Sequence, residues 1–134
     1  MAHDFIVKAK DNSISGGAPL NTNVSLQPGQ LLTISASPDD TWSAGAANRT
    51  SNANGLGNPQ GGNFGLFTHG NYSFLYGSLI GSLDAGKTFF AVGTRLEMTI
   101  LAPGRLSLYY WDINNADNTG EVTATVAVYN GPLP

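Results

Sequence analysis

The chain contains no cysteine, which excludes disulfides and thiolate zinc sites and leaves the redox compartment unreadable. Charge is sparse: 11% of the residues are Asp, Glu, Lys or Arg, and the net charge is −3. The six Lys and Arg are scattered singly, so there is no cationic stripe to meet phosphates, and a nucleic-acid partner is not expected. No apolar run approaches the roughly 18 residues of a membrane-spanning helix, so no membrane insertion is expected. The opening residues Met1-Ala2-His3-Asp4-Phe5 lack the basic and apolar regions of a secretory signal. Cytoplasmic residence and export by a non-classical route both fit. Catalytic motifs are missing too. The histidines are His3 and His69, and there is no nucleophile elbow, phosphate-binding Gly-Lys-Ser/Thr loop or zinc-binding His pair. Asp39 and Asp40 are adjacent, so on a strand they point to opposite faces; a Pro-Asp-Asp turn accounts for them better than paired glycosidase carboxylates. An enzyme is not expected.

What is present points to strands. The 134 residues suffice for one domain, 1–134, with a core of its own. Gly (17 residues), Asn, Ser and Thr are plentiful, whereas Glu, Lys and Arg, which favour helices, are scarce. Apolar residues alternate with a period of two in several segments. Val122, Ala124, Val126 and Val128 share one face of 121–129, and Leu96, Met98 and Ile100 share one face of 96–100. Leu32, Ile34 and Ala36 repeat the pattern, as do Leu106 and Leu108 in the run that ends at Trp111. Phe5–Val7, Tyr72–Leu83 and Thr88–Val92 add further strands. Pro28-Gly29 and Pro103-Gly104 mark turns. The expectation is an all-β protein, a β-sandwich of galactose-binding-domain-like or jelly-roll type with about eight strands. In Tyr109-Tyr110-Trp111, alternate residues must face opposite sides of the sheet: one side is core, and the other is ordinary surface by default, with an oligomer contact or a sugar-stacking platform as alternatives.

Two loops stand out. Ser43 to Asn63 holds five Asn and five Gly with few apolar side chains. A loop of that length is either functional or a mobile excursion. Between two strand patterns, Asp112-Ile113-Asn114-Asn115-Ala116-Asp117-Asn118 places five oxygen-bearing side chains within seven residues. Calcium takes six to eight oxygens from carboxylates, amide carbonyls, backbone carbonyls and water, so this loop is a candidate for it. An EF-hand does not fit: counted from Asp112, Ala116, Asp117 and Thr123 fall where the motif needs an oxygen ligand, a glycine and a glutamate. Asp and Asn are also the residues of tight hairpin turns, so residue types alone leave a metal loop and a turn both open.

Taken in order, the segments form a larger pattern. Leu31-Leu32-Thr33-Ile34-Ser35-Ala36-Ser37 precedes Trp42, and Tyr76-Gly77-Ser78-Leu79-Ile80-Gly81 and Phe90-Ala91-Val92-Gly93 follow later. Ala102-Pro103-Gly104-Arg105-Leu106-Ser107-Leu108 leads to Trp111-Asp112, and Asp117-Asn118-Thr119-Gly120-Glu121-Val122 closes the run. The pattern resembles the small bacterial calcium-dependent galactose-binding lectins, from about residue 5 to 130. The resemblance implies a β-sandwich in which calcium binds vicinal hydroxyls of a galactose-containing or related glycan. It implies metal ligation by Asp112, Asp117 and Asn118, with a mid-loop carbonyl matched by Asn114 or Asn115. A further carbonyl would come from Gly45 or, failing that, Trp42. Asp112, Ile113, Asp117 and Asn118 would meet the sugar, with Asn58, Gln60 and His69 as the nearest substitutes for auxiliary contacts that this sequence lacks. A single shallow site implies a homo-oligomer, dimer or tetramer, that gains strength by multivalency. The alternative is a structural or adhesive sandwich in which calcium braces the loop and no sugar binds.

Overall fold

The computed structural model describes residues 2–130; the C-terminal Gly131-Pro132-Leu133-Pro134, which reads as a frayed end in the sequence, lies outside them. Twelve strands run β1 (Ala2–Lys8), β2 (Leu20–Leu26), β3 (Leu31–Ser35), β4 (Trp42–Ser43), β5 (Thr50–Ser51), β6 (Leu66–His69), β7 (Tyr72–Leu75), β8 (Leu79–Ser82), β9 (Phe90–Ala91), β10 (Arg95–Thr99), β11 (Gly104–Tyr110) and β12 (Thr119–Tyr129). The expected β-sandwich is the fold. One sheet runs β10-β3-β12-β4-β5, with β1 also paired to β12; the other runs β2-β11-β8-β9, and β6-β7 form a separate hairpin. No described helix is long and apolar enough to cross a membrane.

Alternation builds the core directly. Val7 pairs with Val122, Ile34 with Val126, and Leu32 with Val128, so the apolar sets predicted for three strands share one face of the first sheet. The second sheet answers with Leu106, Leu108 and Tyr110 of β11, beside Leu26 and Leu79, all fully buried. At one end Trp42 packs edge-on to Tyr110, with ring centroids 4.6 Å apart, and its indole N–H donates to the Gly77 carbonyl at 2.9 Å. Asp40 turns out to serve the fold: its Oδ2 accepts the Thr123 N–H at 2.7 Å.

The other side of β11 is not ordinary surface. Tyr109 and Trp111 face outward from the sandwich, and with Ile80 they form a second apolar cluster under the β6–β7 hairpin and Phe89. Trp111 is fully buried, because Phe67, Phe74 and Phe89 bring their rings within 5.0–5.8 Å of it. All three consecutive aromatics are therefore core residues. The stretch 43–63 is also less free than its composition suggests. It contains β4, a 3-10 turn at Ala47–Arg49 and β5, and Ser51, Asn52, Ala53 and Leu56 are buried.

A directed bond ties the hairpin to β11, from Trp111 Nε1 to the Phe67 carbonyl at 2.7 Å. Trp111→Phe should keep the aromatic packing but lose that bond, at a cost of about 1–3 kcal/mol. Amide hydrogen exchange across β6 and β7 should accelerate; unchanged protection there would mean that ring packing alone holds the hairpin.

Candidate functional site

The loop 112–118 is not a hairpin turn. β11 pairs with β2 and β8, and β12 pairs with β1, β3 and β4, so the loop carries the chain from one sheet to the other across the end of the sandwich. That crossing leaves its first and last oxygen-bearing residues inside: Asp112 and Asn118 are buried, while Ile113, Asn114 and Asp117 are exposed.

Burial pushes the Asp112 carboxyl above its ordinary value. The Ile113 N–H, the Asn118 amide, the Arg49 guanidinium and the Asn114 N–H pull the other way, the first of them at 2.7 Å from Oδ1. The Asn118 Nδ2 donates to the Ala9 carbonyl at 2.9 Å, which fixes the amide and leaves its Oδ1 buried without a partner. Among the described residues the other such side-chain atom is the hydroxyl of Tyr110, whose pKa is raised by burial and then by the Asp112 charge. Both unpaired oxygens thus belong to residues coupled to the desolvated Asp112 carboxylate. Native interiors rarely leave such atoms unanswered; an ordered water or an ion is the usual partner.

The remaining predicted residues separate clearly. Asp117 packs on Gly45: a Cβ at Gly45 would lie 2.7 Å from that of Asp117, and the φ of +119° there suits glycine. Asn114 lines the cleft. The Asn115 side chain donates to the Lys10 carbonyl at 3.0 Å, and its own carbonyl accepts the Asn118 N–H. Trp42 is buried in the core with its backbone laddered between β5 and β12. Asn58 and Gln60 sit in a turn where the Gly57 N–H donates to the Gln60 carbonyl, and neither lines the cleft. His69 lies on β6, with its ring 5.8 Å from that of Trp111, outside the cleft.

The cleft beside the loop has a volume of about 280 Å³. Asp112, Ile113, Asn114 and Asp117 of the loop line it together with Ala44, Arg49, Leu56, Phe64 and Tyr76 from earlier in the chain. The lining residues from outside the loop were not evident in the sequence. Their signal was a lone Arg and a lone Phe in an otherwise neutral, Asn- and Gly-rich stretch. Among the described residues no three His, Cys, Asp or Glu side chains converge as a metal site. The oxygen-bearing side chains of the loop that line the cleft are Asp112, Asn114 and Asp117, donors of the hard kind that calcium takes and thiophilic ions do not.

No protein-family model matches the sequence, and no curated protein matches it. A solved structure of the EclA N-terminal domain, described as a PllA-like lectin, superposes with a TM-score of 0.64 at 24% identity, over 94% of this chain and 95% of that one. The two share a fold. At that identity the likeness covers the arrangement of strands; the chemistry of the loop stands on its own residues.

Burial of Asp112 has a measurable consequence in metal-free protein. The folded chain holds the Asp112 proton more tightly than the unfolded chain, so stability falls as pH rises from the ordinary value of 3.8 through the raised folded value. Asp112→Asn removes that loss. In thermal unfolding with chelator the variant should exceed the parent at neutral pH, and the gap should close by about pH 3. A variant less stable at both pH values would show that the carboxylate's hydrogen bonds outweigh its desolvation.

Proposed function

We propose that the chain is a calcium-dependent carbohydrate-binding lectin, recognising galactose or a related sugar. The observation that carries this reading is the buried, unpartnered Asn118 Oδ1 beside the desolvated Asp112. A cation answers both at once, because it neutralises the carboxylate and gives the amide oxygen a partner. The Asp112, Asp117 and Asn118 side chains would hold the ion, with the carbonyl of Asn114 and one from the Ala44–Gly45 turn. Once bound, calcium offers coordination positions to two vicinal hydroxyls of a sugar. The shared fold with a PllA-like lectin agrees with this assignment.

The chain's own groups then orient the ligand. Carboxylate and amide oxygens of Asp112, Asp117 and Asn118 accept hydrogen bonds from the ring hydroxyls. Exposed Ile113 and Phe64, 57% and 41% accessible, supply apolar surface for the C–H face of a pyranose. The cleft is open and small, so affinity for one sugar is weak and a homo-oligomer, dimer or tetramer, would supply strength through multivalency.

Calorimetric titration with galactose, repeated after chelation, tests the proposal. Heat that vanishes on chelation and returns with calcium is the expected result; binding unaffected by chelation overturns calcium bridging. Asp112→Ala should abolish both calcium and sugar binding while circular dichroism stays that of the parent. Calcium binding with no response to any galactoside or glycan array would instead support a structural sandwich with a calcium-braced loop.

A further inference from the structure

We infer that Arg49 tunes the cleft toward glycans bearing an anionic group, a carboxylate or sulfate, next to the hydroxyls that the loop receives. The inference rests on the sugar-binding reading and deepens it.

Arg49 is held from both sides of its backbone. It closes the 3-10 turn, its N–H donating to the Ala46 carbonyl at 2.9 Å, and its own carbonyl accepts the Ala44 N–H at 2.9 Å. The side chain leaves this fixed point over Phe64, with the guanidinium 5.7 Å from the ring centroid. Cation–π contact of this kind orients a guanidinium without consuming its donors. Among the described residues no carboxylate pairs with it; the salt bridge present is Arg95–Glu97, elsewhere on the surface. Arg49 and Phe64 nevertheless line the same cleft as Asp112 and Asp117.

Charge then decides what the mouth of the cleft prefers. Two carboxylates and one guanidinium give the lining a net charge of −1. A divalent cation bound at the carboxylates turns it to +1, and the uncompensated charge resides on Arg49. A neutral sugar leaves that charge unanswered. A carboxylate or sulfate on the sugar meets a planar fork of N–H donors that matches its oxygens. Carboxylate and sulfate share this chemistry, and the two acidic probes below separate them.

The test is calorimetry of calcium-loaded protein with methyl galactoside, methyl galacturonoside and galactose sulfate, for the parent, Arg49→Gln and Arg49→Lys. For the parent, at least one acidic galactoside should bind roughly three- to tenfold more tightly than the neutral one, as expected of a charge-assisted bond at an accessible site. That ratio should shrink in high salt. It should fall to about one in Arg49→Gln and lie between in Arg49→Lys, which keeps the charge and loses the fork. Arg49 is exposed, so both variants should fold. Calcium titration without sugar gives an independent readout: removing a like charge should tighten calcium about two- to fivefold in Arg49→Gln. Neutral binding with no acidic preference, a ratio that survives Arg49→Gln, or unchanged calcium affinity in that variant each overturns the inference alone. Failure of every galactoside to bind calcium-loaded protein overturns the lectin reading with it.

Discussion

Trp111 and Asp112 are neighbours in sequence and both are buried, for opposite physical reasons. Trp111 gains by leaving water, and its indole seals the outer face of β11 under the β6–β7 hairpin. Asp112 loses by leaving water, and nothing in the protein fully compensates it. The chain accepts this loss at the point where it must leave one sheet for the other. Strong apolar burial on one side thus fixes an electrostatically unfavourable carboxylate on the other, and the candidate site follows from that coupling.

The loop after Asp112 is held open by the N-terminal segment. Asn12 ties that segment into a compact turn, accepting the Lys8 N–H at 2.8 Å and donating to the Ala18 carbonyl at 3.2 Å. Its backbone zips against β11 through the Tyr110 N–H to Asn12 carbonyl and Ile14 N–H to Tyr110 carbonyl bonds. From this base the carbonyls of Ala9 and Lys10 hold the amides of Asn118 and Asn115. Two of the five oxygen-bearing loop residues are therefore anchored by their nitrogen ends. For Asn118 this leaves the oxygen buried without a partner, and for Asn115 it ties the side chain to the N-terminal segment. Pre-organised oxygens of this kind lose little entropy on binding an ion.

Strands whose apolar residues keep a strict period of two were legible in the sequence, β3, β10, β11 and β12 most clearly. β2 was not. Asn21 and Ser25 pair with Ser107 and Arg105, so three β2 residues oppose Leu106; Asn23 takes a φ of +58°, and a polar Thr22 points inward to bond the Leu106 carbonyl. A bulge with a polar residue inside erases the alternation by which strands are recognised. β4 and β5 are two residues each, too short for any period. At the site, Asp112, Asp117, Asn118 and Asn114 were legible because they crowd one short segment. Arg49, Leu56 and Phe64 were not, since their link to that segment crosses about half the chain and exists only in space.

The sequence by itself determined the two faces of each long strand, the absence of disulfides and the oxygen-rich composition of residues 112–118. Each of these is a local property, set by side-chain type and spacing. Tertiary structure decided which oxygens of that loop are buried. It put β11 and β12 in different sheets, so a segment that reads equally well as a turn became an inter-sheet crossing with both ends buried. It also brought a guanidinium into one cleft with two carboxylates. Desolvation and through-space charge depend on what surrounds a group in three dimensions, and neighbours along the chain do not report that.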